Sequence, residues 1–341
     1  MIPEYIKEIL LSKRILRHDP VGNEWIDDYY QELINAFNIS NTEIMVCNTL
    51  QRRCSCASVR DKKIIVLDNY LTELFMVFNG ILESKENSKY IEPLYYRLAY
   101  ESCLAEEKTQ LAAIYKALTE RAVQRVGEVQ NILVPANNKP QMLYTQQSFL
   151  VMHETMHSFF KDHPDVYADL KKATEAVVDK AFYSKKFGHV QMVSESYLEE
   201  ISCDRLATIS ALSFAIGKKH YSEAEAACAV ILALYYQYFL MLIDGIITDQ
   251  DFSDSIGEFA VRVTVVRLLV NEYFKITKPE LVNLVNEHIS NTIDKWELLY
   301  QVHLTSFLAD HKKALTEYQN IKMSEDETKE LQRSMMLEFL N

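Results

Sequence analysis

Chain-breaking residues are scarce. Glycine and proline each occur only seven times in 341 residues, too few for an all-β chain, which needs a turn about every ten residues. Such a chain must run in long helices, and its 48% apolar content is enough to bury them against one another. Convincing strand patterns occupy only residues 43–47, 56–59 and 63–67. The last two are separated by Arg60, Asp61 and Lys62, the length of a hairpin turn. Elsewhere the spacing predicts helices over 24–38 and from Pro93 to about Val134, then over 145–162, 165–186, 194–216 and 222–245. Three or four more follow in 254–341, the last opened by a capping box of Ser324 and Glu327. The fold class expected is α+β and mostly α-helical. A small antiparallel sheet in the 43–68 region precedes helices at 145–216 that carry the candidate site, and a helical remainder at 222–341 follows. No linker or repeat divides the chain, so 1–341 reads as one domain. The only rival boundary is the break of Pro135, Asn137, Asn138 and Pro140.

Charge and cysteine usage narrow the setting. Thirty-six basic against 48 acidic residues give a net charge of −12, a poor match to a phosphate backbone, so no nucleic-acid partner is expected. The amino terminus mixes charge into its apolar residues and lacks a secretory core. Six irregularly spaced cysteines suit reduced thiols, and the expected location is cytoplasmic. Residues 226–243 carry no charge and have the minimum length for a membrane span. Their middle, however, is Tyr235, Tyr236, Gln237 and Tyr238, and tyrosine favours the edges of a bilayer. A buried core helix, with no membrane partner, is the expected reading.

One motif carries chemistry. His153, Glu154 and His157 form H-E-x-x-H inside an apolar helical stretch. Four residues apart, the two imidazoles project from one helix face, and two neutral nitrogens so placed can bind one tetrahedral Zn²⁺. Glu154, one step round the helix, is placed to act as general base on a water at the metal. This composition produces the motif by chance on the order of 0.02 times per chain. Two packed histidines with no metal are the competing reading, but they would bury three polar groups in need of partners.

A catalytic zinc needs a third protein ligand. Glu200 and Asp204 share one face of the 194–216 helix, so Glu200 could ligate while Asp204 accepts the free N–H of a ligand histidine. His163 is a second candidate, matching the last histidine of H-E-x-x-H-x-x-G-x-x-H. The glycine that would turn the chain there is replaced by Phe160, which resists a left-handed backbone. Glu199 and Glu195 remain further alternatives. For a donor to the oxyanion, the nearest polar rings along the chain are Tyr197, His189 and His220.

These residues resemble the gluzincins, zinc peptidases that carry H-E-x-x-H on one helix and a ligand glutamate on a later one. The layout looks most like soluble bacterial families with a downstream E-x-x-x-D-x-x-A, here Glu200, Asp204 and Ala207. A fainter likeness is to phage-exclusion peptidases, in which Cys-Asp, here Cys203 and Asp204, also follows the ligand. The resemblance covers residues 149–207 and the strand at 63–68. It implies a zincin-like active-site helix, Zn²⁺ as cofactor, and endopeptidase chemistry on a protein or peptide. It also implies a strand edge near that helix on which the substrate backbone aligns. The long stretch between strand and motif departs from the family pattern. The alternative function is a non-catalytic helical interaction or effector protein that keeps a zincin-like helix pair.

Other signals are weaker. Cys54 and Cys56 lack the partner pair of a zinc finger. Glu154–His157 is the only Glu-x-x-His, so a di-iron bundle is excluded, and no glycine-rich phosphate loop occurs.

Overall fold

The computed structural model describes residues 32–35, 42–47, 51–59, 62–127, 140–183, 195–218, 222–249, 253–321 and 323–340. Of the helix expected at 24–38, residues 32–35 are described and are helical; the break expected at 135–139 lies outside the described residues.

Three strands form one sheet: β1 (Thr42–Cys47), β2 (Ser55–Val59) and β3 (Lys62–Asp68). The β2–β3 hairpin is antiparallel, with Ser55 opposite Val66 and Val59 opposite Lys62. β1 joins the other side of β3 in parallel, from Thr42 opposite Lys63 to Cys47 opposite Asp68, so the sheet is mixed rather than wholly antiparallel. β3 is therefore central, and its apolar run explains why. Ile65 and Leu67 enter the main core, while Ile64 and Val66 pack with Met45 and Cys47 on the opposite face. The strand at 63–68 is thus not an edge: β3 is paired on both sides, and β1 and β2 are the edges among the described residues.

Helices make up nearly all the rest. Asp68 ends β3 and caps α1 (Asn69–Glu83), accepting the Tyr70 amide at 3.0 Å. A 3₁₀ turn leads into α2 (Ile91–Ala105) and α3 (Thr109–Val126). The sequence pattern suggests a single helix here. The chain breaks instead at Glu107, whose φ of 58° is left-handed without a glycine to announce it. Then come α4 (Pro140–Asp162), α5 (Pro164–Tyr183), α6 (Glu195–Gly217), α7 (Glu223–Thr248), α8 (Ser253–Thr277), α9 (Val282–Asn320) and α10 (Glu325–Leu340). The expected capping box opens α10: the Glu327 amide donates to Ser324 Oγ at 3.3 Å and the Ser324 amide to Glu327 Oε2 at 2.8 Å.

α7 is long and apolar enough to cross a membrane, yet 78% of its most apolar stretch is buried against protein. Its Tyr236 and Phe239 interlock with Phe75 and Phe78 of α1 and Trp296 of α9. Ring centroids lie 4.8 Å apart for both Phe78–Tyr236 and Tyr236–Trp296. The Tyr236 hydroxyl is satisfied by Asn79 Oδ1 at 2.9 Å, which accounts for tyrosine in the middle of an apolar helix. Asn79 in turn exchanges amide hydrogen bonds with Gln146 of α4, at 2.9 and 3.1 Å. The core thus fixes α4 by specific pairing as well as by packing.

Phe78 lies at the centre of this cluster with no exposed surface. Phe78→Ala should lower unfolding free energy by about 3–5 kcal/mol, the usual cost of emptying an aromatic site. Chemical denaturation of the variant beside the parent protein measures it.

Candidate metal centre

Two helices meet to build the site. α4 is buried almost all round through Phe149, Leu150, Val151, Met152 and Met156, and it presents His153 and His157 to α6. α6 buries small residues a turn apart, Cys203, Ala207, Ala211 and Ala215, which let a neighbouring helix approach closely. The same helix carries Glu199, Glu200 and Asp204.

Three side chains converge. His153 Nε2 and His157 Nε2 are 3.2 Å apart, and Glu200 Oε2 and Oε1 lie 3.2 Å from the respective nitrogens. Ligands about 2.0–2.1 Å from a tetrahedral zinc stand about 3.3–3.4 Å from one another. The observed separations match that edge, and this triad is the group among the described residues whose ligand atoms could hold one metal ion.

The outer ring nitrogens have carboxylate partners. His153 Nδ1 lies 2.8 Å from Asp204 Oδ1, and His157 Nδ1 is hydrogen-bonded to Glu199 Oε1 at 2.8 Å. Each contact orients its ring with Nε2 inward, as outer carboxylates do around metal-bound imidazoles. Asp204, expected behind a ligand histidine, lies beside His153. Glu199, weighed as a ligand, sits behind His157 instead.

Arg262 of α8 completes the arrangement and was not found by sequence reasoning. Its Nε and Nη2 grip Asp204 Oδ2 and Oδ1 at 2.7 and 2.9 Å, and its Nη1 lies 3.2 Å from Glu200 Oε2. The neighbouring Val261 and Val265 pack with Tyr197, Ile201 and Val178, which seats α8 over the site. Arg262 follows Asp204 by 58 residues, so helical spacing could not connect them. The available signal was a lone cation within the valine-rich run 261–266.

The electrostatics favour a cation. Burial would raise the carboxyls of Glu200 and Asp204. The His153 and His157 rings hold Glu200 far below the usual carboxylate range, and Arg262 with His153 holds Asp204 below it. Burial would also depress His153, but hydrogen bonds to Asp204 and Glu200 outweigh it and raise the ring to about 10. Without a metal, a proton therefore sits where the carboxylates want positive charge, and metal uptake has to displace it. Donor chemistry, spacing and charge all fit a divalent metal ion.

Glu154 is not part of the triad: its Oε2 accepts the Cys56 backbone amide of β2 at 2.9 Å. It lines one cleft of about 430 Å³ with His153, Glu200, Arg262, Cys54, Tyr238, Phe259 and Asp244.

The remaining sequence candidates separate. His163 is exposed at the end of α4 and stacks near Phe159, because the helix runs straight through Phe160. Glu195 is exposed and paired with Lys171. Tyr197, considered as an oxyanion donor, is buried, and its hydroxyl donates to the backbone carbonyl of Glu258, which is a structural role. His189 and His220 lie outside the described residues.

Comparison with known protein families, with curated proteins and with solved structures finds no match to this chain.

The outer carboxylate gives a quantitative expectation. Asp204→Asn keeps the shape but weakens the hold on His153 Nδ1, and should reduce affinity for a divalent metal ion by about 10–100-fold. Competition with a chromophoric chelator measures the change.

Proposed function

We propose that this chain is a zinc-dependent peptidase of the gluzincin kind, with His153, His157 and Glu200 as metal ligands and Glu154 as general base. The observation that carries this reading is the mutual 3.2 Å approach of the two Nε2 atoms and the Glu200 carboxylate. The outer carboxylates and the order H-E-x-x-H support it.

Bound there, the metal would supply Lewis acidity, bringing the pKa of a nearby water toward about 7 and polarising a carbonyl. The residues of the chain do the rest. Asp204 and Glu199 hold the imidazoles in the ligating orientation, and Arg262 holds Asp204 and Glu200. Glu154 takes a proton from the water that attacks the peptide carbonyl carbon. It then delivers that proton to the amine nitrogen as the carbon–nitrogen bond breaks.

A protein or peptide substrate is favoured by the neighbourhood of the site. The cleft runs from residues 51–54, which lead into the edge strand β2, across α4, α6, α7 and α8. Its apolar wall includes Tyr238 and Phe259, stacked with centroids 4.0 Å apart. Cytoplasmic residence is part of the proposal, supported by six free thiols, five of them buried.

Glu154→Gln tests the reading. Zinc content should remain at the parent level, while cleavage of a denatured protein substrate should fall by about 10²–10⁴-fold, the usual contribution of a general base. Cleavage at the parent rate by this variant would refute the assigned base. A parent protein that binds no zinc and loses no stability in chelator would instead favour the non-catalytic interaction protein.

A further inference from the structure

The contact between Glu154 and Cys56 joins the motif helix α4 to the edge of the sheet. β2 is an edge strand, and Cys56 pairs opposite Ile65 of β3. Amides of an antiparallel strand alternate between the partner strand and the free edge. The Cys56 amide faces the free edge, and there it meets Glu154 Oε2 of α4 at 2.9 Å.

The start of β2 is held from elsewhere. Arg52, just before it, is 3% exposed and adopts a left-handed backbone with φ of 52°. Its guanidinium donates to the Leu98 carbonyl at 3.3 Å and to Ser102 Oγ at 2.7 Å, both on α2, and forms an ion pair with Asp244 of α7. The position of the Cys56 amide is thus set by its sheet partners and by this buried arginine, as well as by the packing of β2 on α4. A non-glycine residue kept in that backbone region is held there by its surroundings.

We infer that the backbone amide of Cys56 is a positioning group for Glu154, fixing the carboxylate so that its other oxygen, Oε1, is the one presented to the reacting water. The inference rests on the peptidase reading for its consequence, but the contact itself can be tested without activity. A carboxylate at the end of a flexible side chain samples several rotamers, and one fixed donor removes most of that freedom. The amide is suited to this task because it cannot itself rotate.

Proline at position 56 deletes the donor without removing a ladder hydrogen bond, and edge strands tolerate proline. The control is Ser58→Pro, two residues on, where the amide lies on the same free edge and away from Glu154. In the zinc-loaded full-length protein, Cys56→Pro should lower kcat by about 10–100-fold with KM changed by no more than about threefold. Ser58→Pro should stay within about threefold of the parent. Cys56→Ala, which keeps the amide, should retain at least about ten times the kcat of Cys56→Pro. Zinc stoichiometry should be the same in all of them.

Amide hydrogen exchange provides the second measurement and stands if Cys56→Pro fails to fold. The Cys56 amide should be protected in the parent and should exchange at least about tenfold faster in Glu154→Ala. Equal losses of kcat in the two proline variants, or equal exchange at Cys56 in the parent and Glu154→Ala, would overturn the inference. A parent without peptidase activity would remove the proposed function, while the exchange experiment would still decide the contact.

Discussion

The site depends on how closely α4 and α6 approach. Two imidazoles a turn apart on α4 become a chelating pair only when a carboxylate from another helix closes the third corner. Here Glu200 does so, 3.2 Å from each Nε2. That approach relies on small buried residues along α6 and on the apolar girth of α4. α4 is itself anchored by the Asn79–Gln146 pair to α1 and through Asn79 to Tyr236 of α7. The aromatic core and the site are therefore mechanically continuous. Loosening the cluster around Phe78 and Tyr236 would allow α4 to shift against α6.

Charge is managed in layers. Three carboxylates, Glu199, Glu200 and Asp204, surround two imidazoles, and Arg262 neutralises only part of their charge. An uncompensated carboxylate is costly when buried, as Asp204 is, so the cluster favours positive charge beside it. The raised pKa of His153 expresses the same demand. Glu154 stands apart from this arrangement, tied to the sheet rather than to α6. Its anchoring to the sheet suits the base role proposed for it, which moves a proton without binding the metal.

Local spacing made much of this legible in the sequence. His153, Glu154 and His157 share a helix, so their relationship is fixed by 3.6 residues per turn. Glu200 and Asp204 could be paired for the same reason. Arg262 could not, because it reaches Asp204 from a third helix and no local period links them. Glu199 was visible as an acid, but its place behind His157 follows from the crossing of α4 and α6. In the sheet, the short β2–β3 connection specified an antiparallel pair, whereas the parallel docking of β1 is a long-range choice. The break at Glu107 was hidden because a non-glycine residue takes the left-handed conformation there.

Diffraction from crystals of the zinc-loaded protein, recorded on both sides of the zinc absorption edge, bears most directly on the triad. One anomalous peak should appear about 2.0–2.1 Å from His153 Nε2 and His157 Nε2, with a Glu200 carboxylate oxygen about 2.0–2.2 Å away. No peak at this position, or a peak whose ligands exclude Glu200, would contradict it.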